Sequence, residues 1–329
     1  MAIAFFGTGG TIANRGTGPD NYVDYLDHGT VMDAEELISR YPRLAELAEI
    51  QVASFGLLRS KHMTAQHWIA LAQQLQRVLA DPDIDGAVVA HGTGTLEETA
   101  WFLHLVLDTQ KPVVVVGAQR PGSTVGSDTE LNLADAIRVA NAPQSVGVGV
   151  TVVLNRQIHS ARDVTKMANH DLDALQSPIR GALGAVHANH TVHYWRNPIN
   201  PHTATSVFAG SLQALPRVDI VHAYTDADAT ALEAFLAAGA AGIIAVGYPP
   251  GTLPRSLDDA VDTAIVAGIH VVQASRAPLE PAVMARQALM QRGLIPNTDI
   301  TEAKAKILLQ LCLAKGFDRD TTVEIFTAY

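Results

Sequence analysis

Two threonines stand where a hydrolytic enzyme could place a nucleophile. Thr11 follows the apolar run 3–6 and a pair of glycines, and Thr93 follows the apolar run 86–90. Glycines let the backbone turn sharply and approach a ligand closely, and ligands of open α/β sheets bind at the carboxyl ends of the strands. We therefore expect both hydroxyl groups at one edge of a parallel sheet.

A threonine hydroxyl is a poor nucleophile at neutral pH and needs a base, which a neutral lysine amine can supply. Lys166, in the polar segment 162–166, is the candidate, because burial would lower the pKa of its amine. Thr93 could relay or hold the proton. If folding brings Thr11, Thr93 and Lys166 together, they predict acyl transfer through a covalent threonine intermediate.

Other interpretations of the segment 7–13 (GTGGTIA) are weaker. A dinucleotide-binding loop needs a small third residue and an immediate helix, but Ile12 is large and residues 14–20 have the composition of a loop. A phosphate-binding P-loop needs a lysine before the threonine, and Thr11 has none. A tight turn without chemistry remains the simple alternative.

Strands and helices alternate around these segments. We predict strands at 50–55, 86–90, 113–116 and 149–154, and helices at 33–47, 64–79, 95–107 and 131–140. Asp33 and Thr95, each followed three residues later by Glu, are predicted capping-box residues. This alternation predicts right-handed crossovers and a mostly parallel sheet.

The second half of the chain predicts a smaller parallel α/β domain. Periodicity lapses over 195–216, which has the composition of a linker, and apolar runs then recur at 218–223, 242–247 and 269–274. A helix at 302–314 carries an apolar stripe that favours the core. The predicted organisation is a catalytic domain at 1–194, a linker at 195–216 and a second domain at 217–329.

The composition excludes several classes of partner. The chain of 329 residues is 48% hydrophobic and has a formal net charge of −10. Nucleic acids and anionic membranes attract clustered Lys and Arg, so we expect neither as a partner, and a small molecule instead. Cys312 is the only cysteine, which excludes an internal disulfide. The first strand begins by Ile3 without a signal-peptide pattern, which predicts a cytoplasmic protein.

Three further groups of residues have open interpretations. Tyr22 and Tyr25, in the long lid-like loop 14–30, either offer a phenol to a closed site or pack the loop. The histidines at 187, 190 and 193 suggest a metal, but a hairpin turn at 189–190 is favoured and the chemistry needs no metal. Arg162 and Asp163 are interpreted as a structural pair that positions the Lys166 loop.

Four segments together are specific: 7–13 (GTGGTIA), 91–100 (HGTGTLEETA), 117–121 (GAQRP) and 162–166 (RDVTK). In order and spacing they resemble the successive signatures of the bacterial-type L-asparaginase/glutaminase family. The resemblance extends over the whole chain, including the turn 275–278 and the terminal helix pair. It implies a two-domain α/β enzyme that hydrolyses a side-chain carboxamide without a cofactor. It also implies a homotetramer built as a dimer of dimers.

The resemblance implies roles for individual residues. Thr11 matches the nucleophile, Tyr25 its partner on the mobile loop, and Thr93 and Lys166 the pair that assists proton transfer. Substrate-binding positions that match are Ser60, which holds the α-carboxylate, Ala118, whose carbonyl faces the amide nitrogen, and the loops containing Gly10 and Gly92, whose N–H groups stabilise an oxyanion.

Several positions depart from the family pattern. Gly94 stands where the family normally has an Asp that binds the α-ammonium, and Lys61 stands where a Gln commonly follows the serine. The loop 247–251 (GYPPG) lacks the family's Asn. The segment after Pro278, which often lends an acidic residue to a neighbouring subunit, is shortened to Leu279-Glu280-Pro281. All of these positions serve the α-amino end of the substrate.

An ammonium that enters a closed site without an anionic partner costs several kcal/mol. The hypothesis is therefore an amidohydrolase for a substrate that has a carboxylate but no free α-ammonium. Such substrates are an N-substituted Asn or Gln, a dicarboxylic acid monoamide, and a small lactam or imide. The alternatives are an ordinary but weaker asparaginase and a binding protein that lost turnover. A glutaminase subunit of a tRNA amidotransferase is disfavoured, because such chains tend to carry an extra N-terminal domain.

Overall fold

The computed structural model describes residues 2–277 and 291–329, which form two α/β units. The units divide between Ser211 and Leu212, inside the segment 195–216 for which the sequence predicts a linker. Residues 195–211 group with the first unit. The limits of the linker and of the flanking domains stay predictions.

The strands of the first unit are β1 (Ala2–Gly7), β2 (Asn14–Arg15), β3 (Thr30–Val31), β4 (Glu49–Ser54), β5 (Ile84–Ala90), β6 (Val113–Val116), β7 (Val150–Leu154), β8 (Gln157–Ser160), β9 (Thr165–Lys166), β10 (Leu175–Gln176), β11 (Gly184–Val186) and β12 (Val192–Tyr194). Its helices are α1 (Tyr25–His28), α2 (Ala34–Arg40), α3 (Ala65–Leu79), α4 (Leu96–Val106) and α5 (Thr129–Ala140). Short 3-10 helices include Thr11–Ala13, Pro42–Glu46 and Ser60–His62.

Eight of these strands form one sheet in the order β12-β11-β8-β7-β6-β5-β1-β4. The five neighbouring strands β7, β6, β5, β1 and β4 run parallel to one another. The pairs β7–β8, β8–β11 and β11–β12 are antiparallel. β1 and β6 are buried along their whole length, as expected for strands that helices cover on both faces. The predicted mostly parallel sheet is confirmed.

Two local predictions in this unit are wrong. The helix that begins after Asp33 ends at Arg40 instead of continuing to Leu47, because Pro42 lacks an N–H group and forces Tyr41 out of the helical conformation. The capping box at Asp33 is confirmed. Thr95 makes no capping bond to its helix; its hydroxyl donates to the carbonyl of Ser60 at 3.0 Å.

The loop after Thr11 is partly ordered by secondary structure. β2 and β3 pair antiparallel at its base, and α1 lies between them. Three hydrogen bonds connect the loop to the segment 121–127: Gly16 N–H to Ser123 Oγ at 2.8 Å, Tyr22 hydroxyl to Val125 O at 2.9 Å, and Val125 N–H to Pro19 O at 2.9 Å. We call residues 14–30 the lid.

The second unit has a parallel sheet in the order β13 (Val218–His222), β14 (Gly242–Gly247), β15 (His270–Ser275) and β16 (Ile295–Pro296). Its helices are α6 (Thr230–Ala237), α7 (Arg255–Val266), α8 (Glu302–Ala314) and α9 (Arg319–Ala328). The predicted stripe Ile307, Leu308 and Leu311 is buried in this unit. The predicted fold class, a larger and a smaller α/β domain, is therefore confirmed.

Two features bear on the remaining sequence predictions. Leu279-Glu280-Pro281 lies outside the described residues. Within the part of the chain that is described, no helix combines the length and the apolar character that crossing a bilayer requires.

Candidate active site

A cavity of about 780 Å³ lies in the first unit, at the carboxyl ends of β1 and β5. Its wall includes nine of the ten residues that the sequence assigns to the site: Gly10, Thr11, Tyr25, Ser60, Lys61, Gly92, Thr93, Gly94 and Lys166. Ala118 is fully buried and does not line the cavity, whereas its neighbour Gln119 does. The assigned roles stay predictions, but the residues are together.

Thr11 and Tyr25 are in direct contact. Their hydroxyl oxygens are 2.7 Å apart, and both residues are buried. Burial raises the pKa of Tyr25, and the bond to Thr11 only partly opposes this. The phenol is therefore protonated at neutral pH and can exchange a hydrogen bond with the threonine. Tyr22 lies elsewhere in the lid, with its hydroxyl on Val125 and its ring 5.5 Å from the guanidinium of Arg120.

The amine of Lys166 contacts the hydroxyl of Thr93 directly. Its Nζ donates to Thr93 Oγ1 at 2.7 Å and to Gln119 Oε1 at 3.5 Å. Burial lowers the pKa of Lys166, and the carboxylate of Glu97 partly opposes this. Lowering the pKa increases the fraction of neutral amine near pH 7, which is the form that accepts a proton.

The loops that carry the two threonines touch through glycine backbone. A Cβ on Gly10 would overlap the backbone of Gly92, and the φ of Gly10 is +89°. A Cβ on Gly92 would lie 2.9 Å from Ser60 Oγ. Glycine is thus required sterically at both positions. It lets the loop after β1, the loop after β5 and the segment that contains Ser60 approach one another closely.

Backbone donors are available in both threonine loops. The N–H groups of Thr11 and Thr93 make no hydrogen bond to any described residue, although both residues are more than nine-tenths buried. Buried N–H groups are nearly always paired in folded proteins. Two unpaired donors at the wall of a cavity are a suitable arrangement for binding a carbonyl oxygen or an oxyanion.

A chain of hydrogen bonds behind the site was not predicted from the sequence. The indole N–H of Trp68 donates to Thr99 Oγ1 at 2.9 Å, and that hydroxyl contacts His91 Nε2 at 3.1 Å. His91 Nδ1 lies 2.8 Å from the carbonyl of Gly92, which can only accept. The partners therefore assign the proton to Nδ1. His91 is fully buried, and burial lowers its pKa to about 4, so the ring is neutral.

Two of the positions that depart from the family pattern, Lys61 and Gly94, line the cavity wall. A Cβ on Gly94 would lie 3.1 Å from Ser60 Oγ, so a side chain at 94 would point to that serine. Arg59, Lys61 and His170 also line the wall. Asp24 and Asp27 line it from the lid.

Several wall residues were not identified from the sequence as site residues. Asn14 and Gln119 line the cavity, and the buried atoms Asn14 Oδ1 and Gln119 Nε2 have no hydrogen-bond partner among the residues that the structure describes. Both residues lie within three positions of a residue that was identified. Their orientation toward the cavity depends on loop geometry, which residue types alone do not specify.

Asp163 lies outside the cavity wall. It binds Arg162 Nη1 at 3.3 Å and Arg196 Nη2 at 3.2 Å, as expected for a structural pair near Lys166. His190, with φ +66°, turns the hairpin between β11 and β12; His193 lies on β12, and His187 lies one residue beyond β11. No group of metal-ligating side chains is found among residues 2–277 and 291–329.

Comparisons with known proteins agree over the whole chain. Residues 2–200 match the family model "Asparaginase, N-terminal", and residues 217–326 match "Glutaminase/Asparaginase C-terminal domain". L-asparaginase 2 of Bacillus subtilis is 34% identical over 99% of this chain and 86% of its own length. L-asparaginase 2 of Escherichia coli is 35% identical over 99% of this chain and 93% of its own length.

The solved structure of a probable cytoplasmic L-asparaginase from Campylobacter jejuni superposes with a TM-score of 0.91 at 33% identity. The match covers 100% of this chain and 99% of that one. A probable periplasmic L-asparaginase of Haemophilus influenzae is 34% identical over 98% of this chain and 92% of its own length. Similar proteins are therefore assigned to both compartments.

Proposed function

We propose a reaction and a substrate class for this chain, which belongs to the asparaginase/glutaminase family of amidohydrolases. Its members are hydrolases that act on C–N bonds other than peptide bonds. The proposed substrate is a small carboxamide that carries a carboxylate and lacks a free α-ammonium. The proposed intermediate is an ester of Thr11.

Thr11 Oγ1 attacks the carboxamide carbon, and its proton passes through Thr93 Oγ1 to the neutral amine of Lys166. The N–H groups of Thr11 and Thr93 stabilise the oxyanion, an interaction worth about 3 kcal/mol per donor in comparable sites. The tetrahedral intermediate collapses, the C–N bond breaks, and the nitrogen takes the proton and leaves as ammonia. Water then attacks the ester, with Lys166 again as base, and releases the acid and Thr11. The 2.7 Å contact of Lys166 Nζ with Thr93 Oγ1 supports the proton relay. The 2.7 Å contact of the Tyr25 hydroxyl with Thr11 Oγ1 lets the phenol orient the nucleophile.

Gly94 is the observation that carries the substrate class. A side chain at this position would point to Ser60, which matches the family's carboxylate-binding residue, and glycine offers no charge there. Arg59 and Lys61, which also line the cavity, instead bring positive charge to it. Such a wall favours the substrate carboxylate and disfavours a neighbouring ammonium.

The size of the cavity favours an N-substituted Asn or Gln over a small lactam. About 780 Å³ is in the range of drug-sized ligand pockets and is several times the volume of a free amino acid. Val23 and Leu57 line the wall and are 64% and 49% exposed. They offer apolar surface to a substituent on the α-nitrogen.

A second candidate is an ordinary L-asparaginase, which the positions of Asp24 and Asp27 favour. Both carboxylates line the cavity from the lid. Either could receive an α-ammonium in place of a residue at 94. In that case Asp24→Asn or Asp27→Asn would raise the KM for L-asparagine.

Ammonia release across a panel of amides tests the proposal. The panel compares L-asparagine and L-glutamine with succinamate and N-acetyl-L-asparagine, and Thr11→Ala serves as the inactive control. We expect kcat/KM to be highest for the compounds without an ammonium. A kcat/KM for L-asparagine above about 10⁴ M⁻¹ s⁻¹, the usual range of efficient enzymes, would instead support the second candidate.

A non-catalytic binding protein is tested separately, because it predicts no covalent chemistry. An electrophilic carboxamide analogue followed by peptide mass mapping should give an adduct on Thr11 in the enzyme. An unmodified Thr11 would support the binding protein.

Assembly and location are also proposals. We propose a homotetramer, built as a dimer of dimers, in the cytoplasm. Light scattering coupled to gel filtration would report the mass, and any mass other than four chains contradicts the tetramer. Fractionation of the source cells would report the compartment.

A further inference from the structure

Glu97 connects the proposed base to its relay. It lies in the first turn of α4, four residues after Thr93. Its Oε2 accepts a hydrogen bond from the backbone N–H of Lys166 at 3.1 Å. The amine of the same lysine donates to Thr93 Oγ1 at 2.7 Å. Main chain and side chains thus close a ring through Thr93, Glu97 and Lys166.

The carboxylate of Glu97 lies at the N-terminus of α4. The N-terminal turn of a helix carries partial positive charge, which favours an anion. Helix α4 has 11 residues, and Glu97 is half-buried. Gly94 brings no charge to this segment, so Glu97 is the carboxylate that the segment 91–97 directs to Lys166.

The other groups near Lys166 differ in charge and position. Thr93 and Gln119 are neutral and contact the amine directly. Asp163, on the same segment, is bound to Arg162 and Arg196. Asp24, Asp27, Arg59, Lys61 and His170 lie on the cavity wall. Glu97 is the charged group that shifts the pKa of Lys166, and it raises this pKa against the effect of burial.

We propose that Glu97 is a positioning residue with two contributions. Its hydrogen bond holds the backbone of Lys166, so that the amine of Lys166 stays in contact with Thr93. Its carboxylate also supplies a negative charge beside that amine. The proposal rests on the proposed function, because Lys166 acts as base there. Glu97 itself is not among the residues that line the cavity, so it acts through Lys166.

Three substitutions separate the two contributions. Glu97→Gln keeps an oxygen acceptor at the same distance and removes the charge. Glu97→Asp keeps the charge and shortens the side chain, and Glu97→Ala removes both. Glu302→Gln, in the first turn of α8, is the matched control for loss of a helix-terminal carboxylate elsewhere. Thermal melting checks that each variant is folded.

The first measurement is the titration of Lys166 itself, which needs no substrate. The chain has only six lysines, so carbon-13 labelling of their ε positions gives a short spectrum, and Lys166→Arg identifies the signal. We expect the midpoint of this signal to fall by about one pH unit in Glu97→Gln and Glu97→Ala. It should stay close to wild type in Glu97→Asp and Glu302→Gln.

The second measurement is the pH profile of kcat/KM for succinamate. Activity needs the neutral amine, so its acid limb should move to lower pH in Glu97→Gln by the same amount as the lysine signal. Glu97→Ala should show that shift and also a rate at the plateau at least about tenfold lower. Glu97→Asp should have a lower plateau rate, and the acid limb of its pH profile should stay at the wild-type pH.

The outcomes are separable. A Lys166 midpoint in Glu97→Gln equal to wild type would overturn the electrostatic part. A plateau rate in Glu97→Ala equal to wild type would overturn the positioning part. If succinamate is not turned over, the proposed function fails, while the lysine titration still tests the contact with Glu97.

Discussion

Gly94 and Ser60 face each other, and one substitution at 94 tests what the glycine does. The φ of Gly94 lies outside the left-handed region, and a Cβ there would contact only the hydroxyl of Ser60, which can turn away. We expect Gly94→Asp to raise kcat/KM for L-asparagine by at least about tenfold, because the carboxylate pairs with the α-ammonium. It should lower kcat/KM for N-acetyl-L-asparagine.

The matched control is Gly94→Asn, which has nearly the same shape and no charge. It should leave the preference between the two substrates close to that of the wild type. Equal kinetics for the Asp and Asn variants would mean that charge at this position does not select the substrate.

At the scale of residues, the sequence predicts which groups meet but not all that surround them. Thr11 and Thr93 are predictable neighbours because β1 and β5 are adjacent parallel strands that end at one edge of the sheet. Lys166 lies on β9, outside that sheet, so its contact with Thr93 does not follow from this rule. The contact of Glu97 with the backbone of Lys166 joins residues 69 positions apart. Nothing in residue type distinguishes Glu97 from Glu98 before the loops are folded.

The lid is the element on which the contact of Tyr25 with Thr11 depends. We expect the double variant Ser123→Ala, Tyr22→Phe to lose the hydrogen bonds of Gly16 and Tyr22 to the segment 121–127. Each bond is worth about 1 kcal/mol, so the closed lid should become less populated and kcat should fall by up to about tenfold. Stopped-flow or steady-state kinetics would measure this.

Thr17→Ala is the control for the lid, since the hydroxyl of Thr17 accepts a hydrogen bond from Asn21, which is itself in the lid. Its kcat should equal that of the wild type. The melting temperature of the double variant should fall by no more than about 3 °C, because the core is untouched. An unchanged kcat in the double variant would show that these contacts do not hold the lid closed.

Elements with strong periodicity are the ones that the sequence predicts well. The helix α8 and the strands β6 and β14 have the predicted bounds. The helix at 33–47 is wrong because apolar spacing continues past Pro42, while the missing N–H group ends the helix. Thr95 illustrates a different cause: its hydroxyl does not accept a bond from the first turn of its helix and instead donates to a tertiary partner, the carbonyl of Ser60.

For the molecule as a whole, three histidines whose pKa values are lowered by full or partial burial predict sensitivity to acid. Burial lowers the pKa of His91 to about 4, and it also lowers the pKa values of His202 in the first unit and His270 in the second. A lowered pKa means that the unfolded chain binds the proton first. The contribution of these histidines to the unfolding free energy should therefore be complete above pH 6.5, the ordinary pKa of histidine. It should decrease as the pH falls from there toward 4.

Urea unfolding at a series of pH values would measure this slope. His91→Gln should reduce the slope in that window by up to one proton, and His202→Gln should reduce it by less. Asp135, whose pKa burial raises, acts in the opposite direction and is unchanged in these variants. The same slope in wild type and His91→Gln would mean that His91 is not neutral in the folded protein.

The hydrogen-bond chain from Trp68 through Thr99 to His91 acts on a peptide group. A peptide group is planar, and in its trans form the C=O and N–H bonds point in opposite directions. Fixing the carbonyl of Gly92 against His91 therefore also fixes the N–H of Thr93, which belongs to the same plane. In the proposed reaction this N–H would be aimed before any substrate arrives, so little reorganisation energy would be spent when negative charge develops. The indole of Trp68, which is not among the residues that line the cavity, thus helps to hold in place the peptide dipole that would receive the oxyanion.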